Sequence, residues 1–427
     1  MIKNNMSEEY RSSRRRRGGG VEETTTGTTR EKTKKKSAGR EWGETLLFAL
    51  IVVPLVNIFI LQSYAIPTSS MEGSMLVGDK LFVSKFHYGA RIPQTPLALP
   101  FVHDRIPGTN TQAYAELIKL PYMRLPGFRD IKNEDIVVFN WPEGDTMTLE
   151  KLSTESYYEM CRNGGHKAVN KRYNIVTRPV DKRENYVKRC LAIAGDEIEI
   201  KDGLVYINGT LQENNSLVQY NHIVQTKRGV ISSKNLEKFG LLPREKPYEY
   251  GQIDQNTYYM MLSDETAELL RQEDYIKSVT KNIVEAGKPD SNNRIFPHKS
   301  DRFPWNRDNF GPLWIPKEGE TIDLTEDNFY LYGRCIKNFE DNPSLKWKDG
   351  QAHIDGKPID KYTFKMNYYW LMGDNRHNSQ DSRFWGFVPE DHIVGTPIFV
   401  WLSTESQYSW AQFWKKIRWG KSFRIPR

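Results

Sequence analysis

The alternation of apolar and polar positions falls into three regimes along the chain. Between 45 and 66, TLLFALIVVPLVNIFILQSYAI runs for about twenty residues without a charge, interrupted by Pro54, Asn57 and Gln62, and that is the length a helix needs to cross a bilayer. The pattern predicts a membrane-spanning anchor over 44–64. A cleaved signal peptide would have a shorter apolar stretch ending in a small-residue cleavage site, and would not follow a long basic tail. The second regime has period two, in short runs bounded by Gly, Asp and Pro, which predict strands. These are 80-KLFVSKF-86, 135-DIVVFN-140, 185-NYVKRCLAIA-194, 197-EIEI-200, 204-LVYI-207 and 396-TPIFVWLS-403. A phrase such as 78-GDKLFV-83 recurs at 134, 195 and 319, which is ordinary turn-into-strand chemistry.

The third regime lies between two similar stretches, 201-KDGLVYINGTLQE-213 and 348-KDGQAHIDGKPID-360. There the run 264-DETAELLRQEDYIKSVTKNI-283 is helix-like and the rest is rich in loops. The expected fold is therefore a mostly β core of antiparallel sheets with an inserted mixed α/β segment and one N-terminal transmembrane helix. Surface hairpins tolerate insertions of this kind. The expected divisions are a tail over 1–43, the anchor over 44–64, the core over 65–213 and 347–403, the insertion over 214–346, and an aromatic and basic segment over 404–427.

Charge refines the picture at the N-terminus. The net charge is +7, and the positive residues concentrate in 11-RSSRRRR-17 and 30-REKTKKKSAGR-40, on either side of a Gly/Thr-rich spacer. Such composition cannot bury a core and predicts disorder. Basic flanks stay in the cytoplasm, so the tail faces inward and everything beyond residue 66 faces outward. Topology and anionic lipid then account for the basic tail, and nucleic acid is not an expected partner. The C-terminal 410-WAQFWKKIRWGKSFRIPR-427 suits either a headgroup interface or packing on the protein. Three widely spaced cysteines, Cys161, Cys190 and Cys335, exclude a full disulfide framework and carry no metal spacing.

The candidate chemistry begins with four hydroxyls, Thr68, Ser69, Ser70 and Ser74, directly after the apolar run. A serine needs a base within hydrogen-bond reach to act as a nucleophile. Among the eight histidines, His377 in 373-GDNRHNSQDSR-383 is the best candidate for a triad. The other candidate base is Lys188, which lies in an apolar strand and becomes a base near neutral pH if burial disfavours its ammonium form. Alternation puts Lys188, Tyr186 and Cys190 on one face of that strand and Val187 and Arg189 on the other. Two adjacent cations cannot both face a dry core, so one should be buried and the other solvated or paired.

The set 67-PTSSM-71, 78-GDKLFVSKFHYG-89, 188-KR-189 with Gly195-Asp196, and 372-MGDNRHNSQDSRFWGFVPEDHIVG-395 resembles the boxes of bacterial type I signal peptidases, membrane-bound Ser/Lys leader peptidases. The resemblance covers roughly half of the chain and keeps the family's order. It implies that Ser70 is the nucleophile and Lys188 the general base, with the Thr68 hydroxyl and the Ser70 amide forming the oxyanion hole. Ser379 would orient the lysine, and Asp374, Arg376, Asp381 and Arg383 would support the site. Ile66, Met71, Met75, Tyr186 and Val187 are expected to line the substrate pocket.

Two departures concern turns. Glu72-Gly73-Ser74 stands where the family has Pro-Thr, and Ala194 where it has Pro. Ser74 is expected to serve packing or a local backbone bond. The implied substrates are exported preproteins cut after small residues, with the secretion machinery nearby and no metal or cofactor. The implied location is the bacterial inner (cytoplasmic) membrane, single-pass, with the catalytic part outside the cytoplasm. Two other readings use the same residues: an inactive anchored scaffold that binds peptides, and a self-cleaving Ser/Lys protease of the repressor type, which the anchor and the missing DNA-binding domain oppose.

Overall fold

The structure is a computed structural model and describes residues 37–426 apart from 101, 110, 151–154, 214–216, 228, 242–248, 290–293 and 406. The basic tail expected over 1–43 lies outside the described residues up to position 36. Helix α1 covers Ala38–Phe59. Its stretch Gly39–Phe59 is long and apolar enough to cross a membrane, since 21 residues at 1.5 Å each give about 32 Å against a hydrocarbon thickness of ~30 Å.

The helix begins and ends earlier than the apolar pattern suggests. Its first turns are closed by polar contacts, including Arg40 to Glu44 at 3.0 Å and the Thr45 hydroxyl to the Glu41 carbonyl at 2.8 Å. Beyond Phe59 the chain straightens at Leu61–Ala65, because those backbone groups pair with the strand that follows. The division into two compact units falls inside the helix, between Ala49 and Leu50, and every strand belongs to the second unit.

The principal strands are β1 (Leu61–Ala65), β2 (Asp79–Ser84), β3 (Ile136–Asn140), β4 (Asn185–Ala192), β5 (Glu197–Lys201) and β6 (Leu204–Ile207). They continue with β7 (Gln219–Thr226), β8 (Tyr250–Asp254), β9 (Thr257–Ser263), helix α2 (Asp264–Arg271) and β10 (Ile276–Lys281). The chain then forms β11 (Phe310–Trp314), β12 (Tyr368–Met372), β13 (Val388–Pro389) and β14 (Ile393–Ser403).

A seven-stranded antiparallel sheet in the order β1-β2-β14-β3-β4-β12-β13 carries the core. Alternation along β3 sends Ile136 and Val138 into one cluster, with Leu81, Val83 and Val400, and Val137 and Phe139 into the other, with Cys190, Leu371 and Trp385. Val187 packs on the first cluster and Tyr186 on the second, as the period-two reading of β4 requires.

The sheet β8-β9-β7-β10 has its own apolar core, which includes Val224, Tyr258, Met260, Leu262, Leu270 and Ile276. Here the helix expected over 264–283 is corrected. Only Asp264–Arg271 is helical, capped by the Ser263 hydroxyl, and Ile276–Lys281 pairs with β7. The β-branched Ile276, Val279 and Thr280 fit the pleated edge that β7 offers, and tertiary pairing overrides the helical pattern. The chain rejoins the β5–β6 hairpin through β11, and Phe310 and Phe296 pack on Trp370 of β12 with ring centroids 5.1 and 6.0 Å apart. All three cysteines are buried and unpaired.

At the C-terminus, Trp410, Trp414, Trp419 and Phe423 are exposed, as are Lys415 and Lys421, while Arg418 and Arg424 turn inward. Arg418 donates to the Val77 carbonyl at 2.9 Å, and Arg424 donates to the Ser74 carbonyl and the Asp79 carboxylate at 2.9 Å each.

Strands β2 and β14 approach closely at Gly395, where a Cβ would meet the Ser84 carbonyl oxygen at 2.1 Å. Gly395→Ala is expected to destabilise the protein by about 1–3 kcal/mol, because a backbone oxygen cannot move aside as a side chain would. Thermal unfolding of the detergent-solubilised protein, followed by circular dichroism, would show this as a midpoint lowered by several degrees.

Candidate active site

The turn that carries the clustered hydroxyls is closed by two backbone bonds, Ile66 N–H to Asp79 C=O at 2.8 Å and Gly78 N–H to Ile66 C=O at 2.9 Å. Within it Ser69–Met71 forms one turn of 3-10 helix. Met71 and Met75 are completely buried and pin this turn to the sheet. Ser69 and Ser70 take the first positions of the helical turn, whose N–H groups have no intrahelical partner. Thr68 precedes them in extended conformation, exposed, and its side chain makes no capping bond to the turn.

Strand β4 brings Lys188 beneath this turn, opposite Val137 of β3. Lys188 is 2% exposed, and its Nζ lies 2.5 Å from Ser70 Oγ. Burial lowers its pKa from 10.5 to about 8, against the opposing pull of the Asp381 and Asp374 carboxylates. The neighbouring Arg189 is also buried, but paired: its Nε and Nη2 donate to the two oxygens of Asp374 at 2.8 and 2.7 Å. The two adjacent cations are thus accommodated on opposite faces, one partly discharged by desolvation and the other neutralised by a forked ion pair.

The Gly373–Arg383 loop completes the arrangement. Asp374 also accepts from the Ser74 hydroxyl at 2.5 Å, and Arg189 donates to the same hydroxyl at 3.0 Å. Ser74 therefore bonds a distant carboxylate, not the local backbone as its position suggests. Asp381 accepts two bonds from the Arg383 guanidinium, at 2.9 and 2.8 Å, and one each from the Arg383 and Gly373 N–H groups at 3.2 Å. Burial works against the Asp381 carboxylate, but Arg383 outweighs it and holds the pKa below the usual range. Arg376 donates from Nε to the Gly373 carbonyl at 3.2 Å, which folds the loop back on itself.

Gly373 is required at its position, because a Cβ there would meet Ser379 Oγ at 2.3 Å and the Ser70 carbonyl oxygen at 2.5 Å. Ser379 thus sits beside the Ser70 turn, but its hydroxyl donates to the Gln380 carbonyl at 3.4 Å instead of to Lys188. Gly73 permits an equally close approach: its φ is 102°, and a Cβ would meet the Leu217 carbonyl oxygen at 2.2 Å. The glycine at the Pro-Thr departure therefore permits close contact with the backbone of Leu217.

His377 is not placed to serve Ser70. Its Nδ1 accepts from Asn221 N–H at 3.1 Å and its Nε2 lies 2.6 Å from Asp308 Oδ1, so both ring nitrogens are committed. Desolvation lowers its pKa and favours the neutral ring.

A cleft of about 1080 Å³ opens over these groups. Thr68, Ser70, Tyr186, Lys188 and Ser379 line it, together with Trp141 and Trp385. Of the expected pocket walls, Tyr186 reaches the cleft, while Ile66, Met71 and Met75 are buried below the turn and Val187 packs on their cluster. Those apolar groups seal the sheet face, which removes them from the cleft surface. Asn282, Val284 and Arg307, between β10 and β11, also line the cleft. No signal in the sequence marks these residues for the cleft, because they are loop positions far from every box.

Comparison with known proteins agrees with the geometry. The family model described as Signal peptidase, peptidase S26 matches residues 39–267 and 315–402. Signal peptidase I of Helicobacter pylori strain J99 is 25% identical over 357 residues, 83% of this chain and 79% of the relative. Signal peptidase I of Haemophilus influenzae is 22% identical over 391 residues, 92% of this chain and 75% of the relative. Signal peptidase I of Aquifex aeolicus is 54% identical over a stretch of 43 residues, 10% of this chain and 17% of the relative. With the family model matching well over half of its length, this chain belongs to the signal peptidase family, peptidase S26.

Proposed function

We propose that the protein removes signal peptides from exported preproteins by a Ser70/Lys188 dyad, while held in the inner membrane by α1. The observation that carries this reading is the 2.5 Å approach of a buried lysine to a serine on an otherwise constrained turn. Neutral Lys188 accepts the Ser70 proton as Oγ attacks the scissile carbonyl. The Ser70 N–H and the Thr68 hydroxyl stabilise the oxygen as it becomes negative. The C–N bond breaks, the protonated lysine gives its proton to the leaving amine, and the signal peptide remains as an ester on Ser70. Water then attacks the ester with the same lysine as base and restores both side chains. The Asp374–Arg189 and Asp381–Arg383 pairs hold the loop beside the dyad, and Ser379, which lines the same cleft, would turn toward Lys188 when substrate excludes water.

The N-terminal tail would face the cytoplasm, and the sheets would face outward against the lipid surface near the secretion machinery. An inactive peptide-binding scaffold on the same fold would gain nothing from a buried lysine, whose burial costs stability.

Cleavage of a signal-peptide-bearing preprotein in detergent or bilayers tests the reading. Wild type should cut after a small residue, and Ser70→Ala and Lys188→Met should be inactive. Wild type inert on several preproteins would favour the scaffold. Thr68→Val, which keeps the shape and removes the hydroxyl, should lower kcat by about 10²–10³-fold if that group binds the oxyanion.

The lysine must be neutral to act, so kcat/KM should rise as pH climbs through about 8 and level off above it. A pH profile flat from 7 to 10 would contradict Lys188 as base.

Stability should respond with the sign set by the depressed pKa. Between about 8 and 10.5 the unfolded chain binds the proton that the folded protein has released, so the fold gains stability as pH rises through that window. Below it the buried ammonium costs the fold about 3 kcal/mol, from a shift of 10.5 to about 8 at 1.36 kcal/mol per unit. Lys188→Met should therefore raise the unfolding midpoint at pH 6–7, with the gain shrinking toward pH 10. Denaturation of both proteins across this range would measure it.

A further inference from the structure

The loop between Asp374 and Asn378 is gripped from two sides. On one side it holds the Ser70 turn: Asn375 N–H donates to the Ser70 carbonyl at 3.1 Å, and its Nδ2 donates to the Ser69 carbonyl at 3.3 Å. Asn378 Nδ2 adds a bond to Ser69 Oγ at 2.9 Å. On the other side the inserted segment holds the loop. Gln219 N–H donates to the Asp374 carbonyl and Arg376 N–H to the Gln219 carbonyl, both at 2.9 Å, in a parallel bridge.

The deepest contact on this second side is His377 with Asp308. The Asn221 N–H occupies Nδ1, which leaves the ring proton on Nε2 to be donated to Asp308 Oδ1. Asp308 is itself fixed: its Oδ2 accepts from Val284 N–H at 2.9 Å and Arg307 Nε at 3.2 Å, and its carbonyl accepts from Gly203 N–H at 2.8 Å. Both side chains are buried, His377 at 0% and Asp308 at 1% exposure. The His377 ring also stands edge-on to Tyr220, with centroids 5.5 Å apart.

We infer that Asp308 and His377 are positioning residues for Ser70, through which the inserted segment sets the aim of the nucleophile. This inference rests on the Ser70/Lys188 reading. The loop binds the carbonyl of the nucleophile's own residue, so a displacement of the loop is passed to the peptide that carries Oγ. A misplacement of about 1 Å at a reacting group can cost on the order of 10²-fold in rate. Neither residue exchanges a proton with substrate, because every side-chain polar atom of the pair already has a protein partner.

The test measures preprotein cleavage and, separately, reaction of Ser70 with a small fluorophosphonate that does not need the extended cleft. His377→Leu and Asp308→Leu should each lower kcat by roughly 30–100-fold with KM changed less than about 3-fold, and slow the fluorophosphonate reaction in parallel. The double variant should be no worse than either single one, because the two residues act as a unit. His377→Gln, whose amide N–H can reach Asp308, should recover most of the rate.

Wild-type kcat in the leucine variants, additive losses in the double variant, or a rise in KM alone would overturn the inference. So would normal fluorophosphonate reactivity in whatever fraction remains folded by circular dichroism. Ser70→Ala serves as the separate control. If it still cleaves, the dyad reading has failed; if it is silent while Asp308→Leu is fully active, only the positioning inference has.

Discussion

A lysine buried against a serine is the constraint around which the rest of this structure is arranged. An ammonium ion inside a sheet is expensive unless it is paired or discharged, and Lys188 has neither a close carboxylate partner nor solvent. Its pKa falls to about 8 because burial outweighs the pull of Asp381 and Asp374. Those carboxylates are held away from full charge compensation by their own arginines. If either were free to bond Lys188 directly, the lysine would stay protonated and could not serve as a base.

Two buried ion pairs therefore do more than stabilise a loop. Asp374 is saturated by Arg189 and Ser74, and Asp381 by Arg383 and the Gly373 amide. A buried pair of this kind is a poor source of stability, since desolvation offsets the attraction. Its value here is geometric: Asp374 ties the loop to Arg189 of β4 and to Ser74, and Asp381 closes the loop on itself through Arg383 and Gly373. Glycines at 73 and 373 then let backbone and side chains approach where any Cβ would collide.

The segment between β6 and β11 takes part in the same set of close contacts. It has a core of its own, yet it supplies one wall of the cleft and grips the Gly373–Arg383 loop through Gln219, Asn221 and Asp308. His377 belongs to this junction. It was the best candidate base among the histidines, but its nitrogens are taken by Asn221 N–H and Asp308.

Most of the architecture is legible in the sequence, because period two and turn residues are local properties of the chain. The strands at Asp79–Ser84, Ile136–Asn140, Asn185–Ala192 and Glu197–Lys201 follow directly from that pattern, as does an apolar helix long enough to span a bilayer. The candidate nucleophile and base were legible from their boxes. Tertiary structure decided the rest. Whether Ile276–Lys281 is strand or helix depends on the edge offered by β7, and where α1 ends depends on pairing with β2. The partners of Ser74, His377 and Ser379, and the wall built by Asn282, Val284 and Arg307, are set by contacts between segments far apart along the chain. A polar side chain in a loop carries no record in its neighbours of which distant backbone or carboxylate it will meet, so those assignments required the fold itself.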